Sequence, residues 1–139
     1  MKSLHPMIPS ILKVTVPVKK SHFMSVSELE IWTESLGDPS HPTILLIAGA
    51  GSPSTFWYDG FFYGLAQAGF HVIRYDHRDC GYSTHLQAGL THYTLEALNR
   101  DAFKVLEAYG VLKAHIVGHS MGCKLFTDSL LNTPRIPRV

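Results

Sequence analysis

The residues best placed to do chemistry in this 139-residue chain lie in one pentapeptide, Gly118-His119-Ser120-Met121-Gly122. A short apolar run, Ala114 to Val117, leads into it, and a segment with helix-forming composition, Lys124 to Leu131, leads out. Strand, sharp turn and helix in that order lift a serine hydroxyl clear of its neighbours. The two glycines let the backbone fold closely around it, and a helix N-terminus offers unpaired N–H groups and partial positive charge to a developing oxyanion. The chemistry this allows is attack by Ser120 on a carbonyl carbon, with a base to take the hydroxyl proton, because serine alone is a weak nucleophile. An ordinary turn serine is the simpler alternative, and the strand-turn-helix setting speaks against it.

The elements that must position this turn are legible in order. Ile11 to Val18 alternates loosely, and Pro17 confines it to an edge or an extension. Phe23 to Val26 and Leu29 to Thr33 read as a hairpin around Ser27 and Glu28, and Gly37-Asp38-Pro39-Ser40 is a turn. Thr43 to Ala48 is a continuous apolar run, as in a strand buried on both faces of a parallel sheet. Gly49-Ala50-Gly51-Ser52-Pro53-Ser54 follows, then an aromatic helix from Phe56 to Ala68 capped by Gly69. Of its aromatics, Phe56, Trp57, Tyr58, Phe61 and Phe62, most are expected in the core, with one or two facing an apolar pocket. His71 to Tyr75 is the next strand and a polar loop runs from Asp76 to Tyr93. Thr94 is an N-cap for a helix in which Leu95, Leu98, Ala102, Val105 and Tyr109 repeat at helical spacing up to Gly110. With Ala114 to Val117 as a third buried strand, the fold class is α/β: an antiparallel start, then a mostly parallel sheet with helices on both faces.

Composition removes several classes. A formal net charge of +1 with mixed signs gives no footprint for nucleic acid. Cys80 and Cys123 are too few and too far apart for a disulfide framework or a Cys-x-x-Cys metal site, and the histidines show no ligand spacing. Pro6, Pro9 and Lys13 interrupt the N-terminus, which makes a poor signal peptide, and no run approaches the ~18 apolar residues of a membrane helix. The expectation is a cytoplasmic protein with no metal, organic cofactor or membrane partner.

Three motifs together resemble the first half of an α/β-hydrolase, close to its aclacinomycin-methylesterase-like branch. Gly118-His119-Ser120-Met121-Gly122 resembles the nucleophile elbow. Ala48-Gly49-Ala50-Gly51 sits where the family carries His-Gly before its oxyanion loop, and Asp76-His77-Arg78-Asp79-Cys80-Gly81-Tyr82-Ser83 resembles Asp-x-Arg-Gly-x-Gly-x-Ser. The resemblance divides the chain into an N-terminal extension, 1–22, and the N-terminal part of a hydrolase domain, 23–139. It implies a serine hydrolase, an ester hydrolase with Ser120 as nucleophile and the N–H groups of Ala50 and Met121 as oxyanion hole. Asp76, Arg78, Gly81 and Ser83 take structural roles in the loop, Asp76 and Arg78 through a charge-assisted hydrogen bond.

Departures accompany the likeness. Ala48 replaces the family's histidine, Asp79 and Cys80 replace Gly-x, and Cys123 stands where a glycine is common. In the family the triad acid and histidine follow the serine, yet after Ser120 the sequence holds only Asp128 and no histidine. Asp128, on the helix leaving the turn, is expected at the surface. Thr133-Pro134-Arg135-Ile136-Pro137-Arg138-Val139 resembles the lead into a sixth strand, so the chain is expected to stop short of it and to leave Ala114–Val117 as an open sheet edge, available to a second copy or a complementing chain. Two rivals remain at this point. One is a non-catalytic half-domain that binds a partner through that edge. The other is a dinucleotide site built on Gly49-x-Gly51 and Asp76, weakened by Pro53, by Ser54 at the third glycine position, and by leaving Ser120 unexplained.

Overall fold

The hairpin forms as expected and extends further: β1 (Lys20–Val26) pairs antiparallel with β2 (Leu29–Leu36), Val26 opposite Leu29. The structure, a computed structural model, describes residues 19–26, 28–86 and 93–125. The strand expected over Ile11 to Val18, Asp128 and the segment 126–139 lie outside the described residues.

The turn at Gly37 takes φ +92, and the Asp38 carboxylate accepts from the Ser40 N–H at 2.8 Å. β3 (Thr43–Ile47) follows, every residue buried, then a one-turn 3-10 helix (Ser54–Phe56), α1 (Asp59–Gln67) and β4 (His71–Tyr75). α2 (Leu95–Ala108) and β5 (Ala114–Gly118) complete the described elements. The strand order is β1-β2-β4-β3-β5, with β2 and β4 antiparallel and β4, β3 and β5 parallel. Side chains alternate across β3, so Ile44 and Leu46 pack with Phe62 and Ala66 of α1, while Leu45 and Ile47 pack with Leu98, Ala102 and Val105 of α2. Helices therefore cover both faces. Phe62, fully buried, is worth about 1.5–3 kcal/mol by removal from water alone.

Both helices end on the glycines read from the sequence. Gly69 (φ +96) and Gly110 (φ +69) close paired hydrogen bonds, Phe70 N–H to Leu65 O with Gly69 N–H to Ala66 O, and Val111 N–H to Leu106 O with Gly110 N–H to Glu107 O. The Thr94 hydroxyl accepts from the Ala97 N–H at 3.2 Å, the expected cap.

Three expectations are corrected. The helix after the glycine-rich loop starts at Asp59 rather than Phe56, because the chain leaves helical geometry at Trp57 (ψ 86) and resumes with an acidic residue in the first turn. As a result Phe56 and Tyr58 have no helix face to bury and are 42% and 68% exposed; only Phe62 of the five aromatics lies in the core, with Trp57 and Phe61 packed against it. β5 is not a buried strand: Ala114 alone is buried, because among the described residues β5 pairs only with β3.

Arg74 was not anticipated. Although 1% exposed, it projects from β4 over the Phe62 ring, with Nε 2.6 Å from the Glu34 carboxylate, NH2 2.8 Å from Asp59, and NH1 donating to the Trp57 carbonyl. A buried guanidinium needs such compensation, and its partners pin the start of α1 to β2 and β4.

Candidate functional site

Three parallel strands end together. Ile47 lies opposite Gly118 and Leu46 opposite Arg74, so the segments after β3, β4 and β5 emerge at one end of the sheet, where α/β folds place ligands. The segments are the glycine-rich loop 48–54, the loop from Asp76, and the turn at Ser120.

Ser120 has φ +55, a left-handed conformation uncommon for a residue with a side chain, and it is exposed. The turn is that tight because its flanks leave no room. A Cβ on Gly118 would lie 2.5 Å from the Gly122 carbonyl carbon, and one on Gly122 would lie 2.3 Å from the Ile47 carbonyl oxygen. The Ile47 carbonyl also accepts from the His119 N–H at 3.1 Å, tying the turn to β3. The Ser120 carbonyl accepts from the Cys123 N–H at 3.0 Å, so the following helix begins at Met121, earlier than the Lys124 read from the sequence.

The sequence-derived partners come to this turn. Gly49 is buried against it: a Cβ there would meet the Ser120 Cβ, the His119 Nδ1 and the His119 carbonyl, all at 3.4 Å. Ala50 is exposed on the same loop, and among the described residues no hydrogen bond takes up its N–H or that of Met121. The His119 ring turns to the Phe56 ring, stacked at 4.4 Å and 29°, and no histidine side chain described here hydrogen-bonds to Ser120.

The loop after β4 is held by its own side chains. The Asp76 carboxylate, 2% exposed, accepts from the Ser54 N–H at 2.6 Å and the Tyr82 N–H at 2.9 Å. Gly81, at φ +51, makes this possible, since a Cβ there would fall 2.1 Å from Asp76 Oδ2. Ser83 Oγ donates to the Asp76 carbonyl at 2.6 Å and accepts from the Trp32 N–H at 2.9 Å, joining the loop to β2. Arg78 does not pair with Asp76. It reaches α2 and forms two hydrogen bonds of 2.7 Å to Asp101, which hold its guanidinium above the ordinary value.

Sequence reasoning missed Asp101 and His77. Asp101 had a signal, a carboxylate between Leu98 and Ala102 on an apolar helix face, which demands a buried partner. His77 had none. It is 2% exposed, its Nε2 lies 2.9 Å from the Ala48 carbonyl oxygen, and burial pushes its pKa down, so the ring stays neutral. Among the described residues no group of three or more His, Cys, Asp or Glu side chains could hold a metal ion. No described helix is long and apolar enough to cross a membrane. An open groove of about 640 Å3 between Pro39–Thr43 and Tyr109–His115 lies at the far end of the sheet, away from Ser120.

Comparison with known proteins fits this geometry. The sequence profile of the alpha/beta hydrolase fold matches residues 42–135. Rhodomycin D methylesterase DauP of Streptomyces sp. (strain C5) is 42% identical over 102 residues, 73% of this chain and 34% of that protein. Rhodomycin D methylesterase DnrP of Streptomyces peucetius is 44% identical over 95 residues, 68% of this chain and 32% of that protein. The chain therefore spans about a third of the length of these relatives. Among solved structures, the thioesterase domain from the curacin biosynthetic pathway superposes with a TM-score of 0.74 at 27% identity, covering 85% of this chain and 41% of that one.

Proposed function

This chain belongs to the alpha/beta hydrolase fold family, and on that footing we propose that it carries the nucleophile-bearing portion of a serine hydrolase that cleaves carboxylic esters. Ser120 Oγ bonds to the ester carbonyl carbon, its proton passes to a base, and the carbonyl oxygen becomes an oxyanion held by the N–H groups of Ala50 and Met121. Collapse of that intermediate expels the alcohol, which takes up a proton, and leaves an acyl-enzyme on Ser120 that water then hydrolyses. The two methylesterase relatives favour an ester substrate. The observation that carries the proposal is the left-handed backbone of Ser120, wedged between two glycines beside Gly49. Strain of that kind persists only where the surroundings impose it.

No histidine follows Ser120 in this sequence, and the one acid that does, Asp128, lies outside the described residues. For the reaction to run, the base is either a histidine earlier in the sequence or a group from outside these residues. β5 also favours a second function, a non-catalytic half-domain that binds a partner, because its outer edge is unpaired among the described residues and Ile116, Val117 and Gly118 are half-buried.

Intact-protein mass spectrometry after treatment with a fluorophosphonate probe separates the two. A single adduct that disappears in Ser120→Ala is expected if Ser120 is activated. A folded chain that takes no adduct overturns catalysis by these residues alone and leaves the partner-binding half-domain.

A further inference from the structure

We propose that His77 is a positioning residue for the oxyanion loop, its Nε2–H holding the Ala48 carbonyl and thereby aiming the Ala50 N–H beside Ser120. The inference rests on the Ser120 reading and adds to it a residue outside the motif positions.

The loop from Ala48 to Ser54 has little to hold it in place by itself. It contains two glycines, and its one internal backbone bond runs from the Ser52 N–H to the Gly49 carbonyl at 3.2 Å, with Gly51 at φ +67. Apart from the bonds that the following 3-10 turn makes to the Pro53 and Ser54 carbonyls, the loop's other hydrogen-bond tethers come from the segment after β4. The Asp76 carboxylate takes the Ser54 N–H and His77 takes the Ala48 carbonyl. Two residues on one short stretch thus fasten the end and the start of the loop.

The start matters most, because the Ala48–Gly49 peptide leads directly into the residues packed on Ser120. Peptide planarity makes each carbonyl a handle on the N–H across the same bond. With the Ala48 carbonyl held by His77 and the Gly49 carbonyl held by Ser52, both peptide planes around Gly49 are fixed, and the Ala50 N–H, opposite the Gly49 carbonyl, has one direction open to it. Gly49, having no Cβ, could not resist rotation unaided.

The chemistry of the ring suits the task. A carbonyl only accepts, so the proton must sit on Nε2. Nδ1 is buried without a partner among the described residues, a state more tolerable for a lone pair than for an N–H. The Tyr75 ring packs edge-on at 5.2 Å and keeps the imidazole from turning. One tautomer and one orientation follow.

The test compares His77→Gln, whose amide N–H can still reach the carbonyl, with His77→Leu, whose side chain cannot donate. Amide hydrogen exchange is read at Ser52, whose N–H closes the loop on the Gly49 carbonyl, and at amides of β4 and α2 as controls. His77→Leu is expected to speed exchange at Ser52 by about tenfold or more through local opening, with the control amides unmoved and His77→Gln near wild type. Nitrogen chemical shifts of the wild-type imidazole are expected to report the Nε2–H tautomer. Equal loop protection in both variants, a change shared by the control amides, or the Nδ1–H tautomer overturns the proposal. Where the wild type takes the fluorophosphonate adduct, His77→Leu is expected to slow it by about tenfold and His77→Gln to restore it, a smaller effect than deleting an oxyanion donor. Absence of any adduct in the wild type counts against Ser120 as an activated nucleophile, and the exchange result still decides the role of His77.

Discussion

Replacing Asp76 by asparagine keeps the shape of the side chain and removes one acceptor, and the structure says which hydrogen bond will go. The carboxylate receives two backbone N–H groups, from Ser54 and Tyr82. Ser54 is 3% exposed and its N–H has no route to water, whereas Tyr82 is 74% exposed. In Asp76→Asn the amide oxygen therefore turns to Ser54, and the amide NH2 is left facing the Tyr82 N–H, donor against donor. Hydrogen bonds to a charged group contribute about 1.5–3 kcal/mol and neutral ones about 0.5–1.5, so losing one and weakening the other costs about 2.5–4.5 kcal/mol. Partial hydration at Tyr82 brings the expected value to the lower half of that range. The backbone bonds from the Asp76 N–H to the Trp32 carbonyl and from Ser83 to the Asp76 carbonyl remain, so the loop loosens without detaching.

Gly81→Ala strikes the same point from the other side, driving a methyl to within 2.1 Å of the carboxylate oxygen at a left-handed φ. The two changes therefore couple, and the double variant is expected to lose less than the sum of the singles by about 1 kcal/mol or more. Urea unfolding followed by circular dichroism measures all four proteins. A loss under about 0.5 kcal/mol for Asp76→Asn, the size of a neutral surface change, or full additivity with Gly81→Ala, would refute the assignment of Asp76 as the carboxylate that fastens the two loops.

Other consequences are as direct. Gly122→Ala forces a methyl to 2.3 Å from the Ile47 carbonyl oxygen, which is itself held by the His119 N–H, so stability is expected to fall by about 1–3 kcal/mol and fluorophosphonate labelling to drop. Wild-type stability and labelling would mean that the helix after Ser120 is not seated on β3. His71 and His77 are both buried with pKa values pushed down from 6.5, mainly by loss of water around the ring. Below pH 6.5 the unfolded chain then binds protons that the folded one does not. Stability is accordingly present above that pH and lost as it falls, by up to about 1.4 kcal/mol per pH unit for each histidine. Denaturant midpoints measured between pH 7.5 and 5.5 check the sign, and a flat profile contradicts neutral burial; His77→Gln should remove its share of the slope.

Local order along this chain was legible because its signals are local. Alternating or continuous apolar runs marked the hairpin, β3 and β4; Thr94 and the glycines at 69 and 110 marked helix ends through bonds that span only a few residues. The Gly118-to-Gly122 turn was legible for the same reason, since its glycines answer to contacts within five residues and to the strand beside it. The aromatic stretch from Phe56 misled because five aromatics read as a buried helix face, while the geometry at Trp57 delays the helix and leaves Phe56 and Tyr58 outside it. β5 misled because its composition suits a buried strand, and burial depends on what lies on its other side.

What the sequence by itself determined, then, is the succession of elements, their caps, and a serine set between glycines at the end of a strand. What only the tertiary structure decided is which distant groups meet there. Strand order β1-β2-β4-β3-β5 brings the ends of β3, β4 and β5 together, and that alone lets Asp76 and His77 reach Ser54 and Ala48 across more than twenty residues of chain. It likewise places Arg74 against Glu34 and Arg78 against Asp101. A hydrogen bond is satisfied by any partner at about 2.9 Å, and no spacing in the sequence encodes which partner the packing of sheet and helices will deliver.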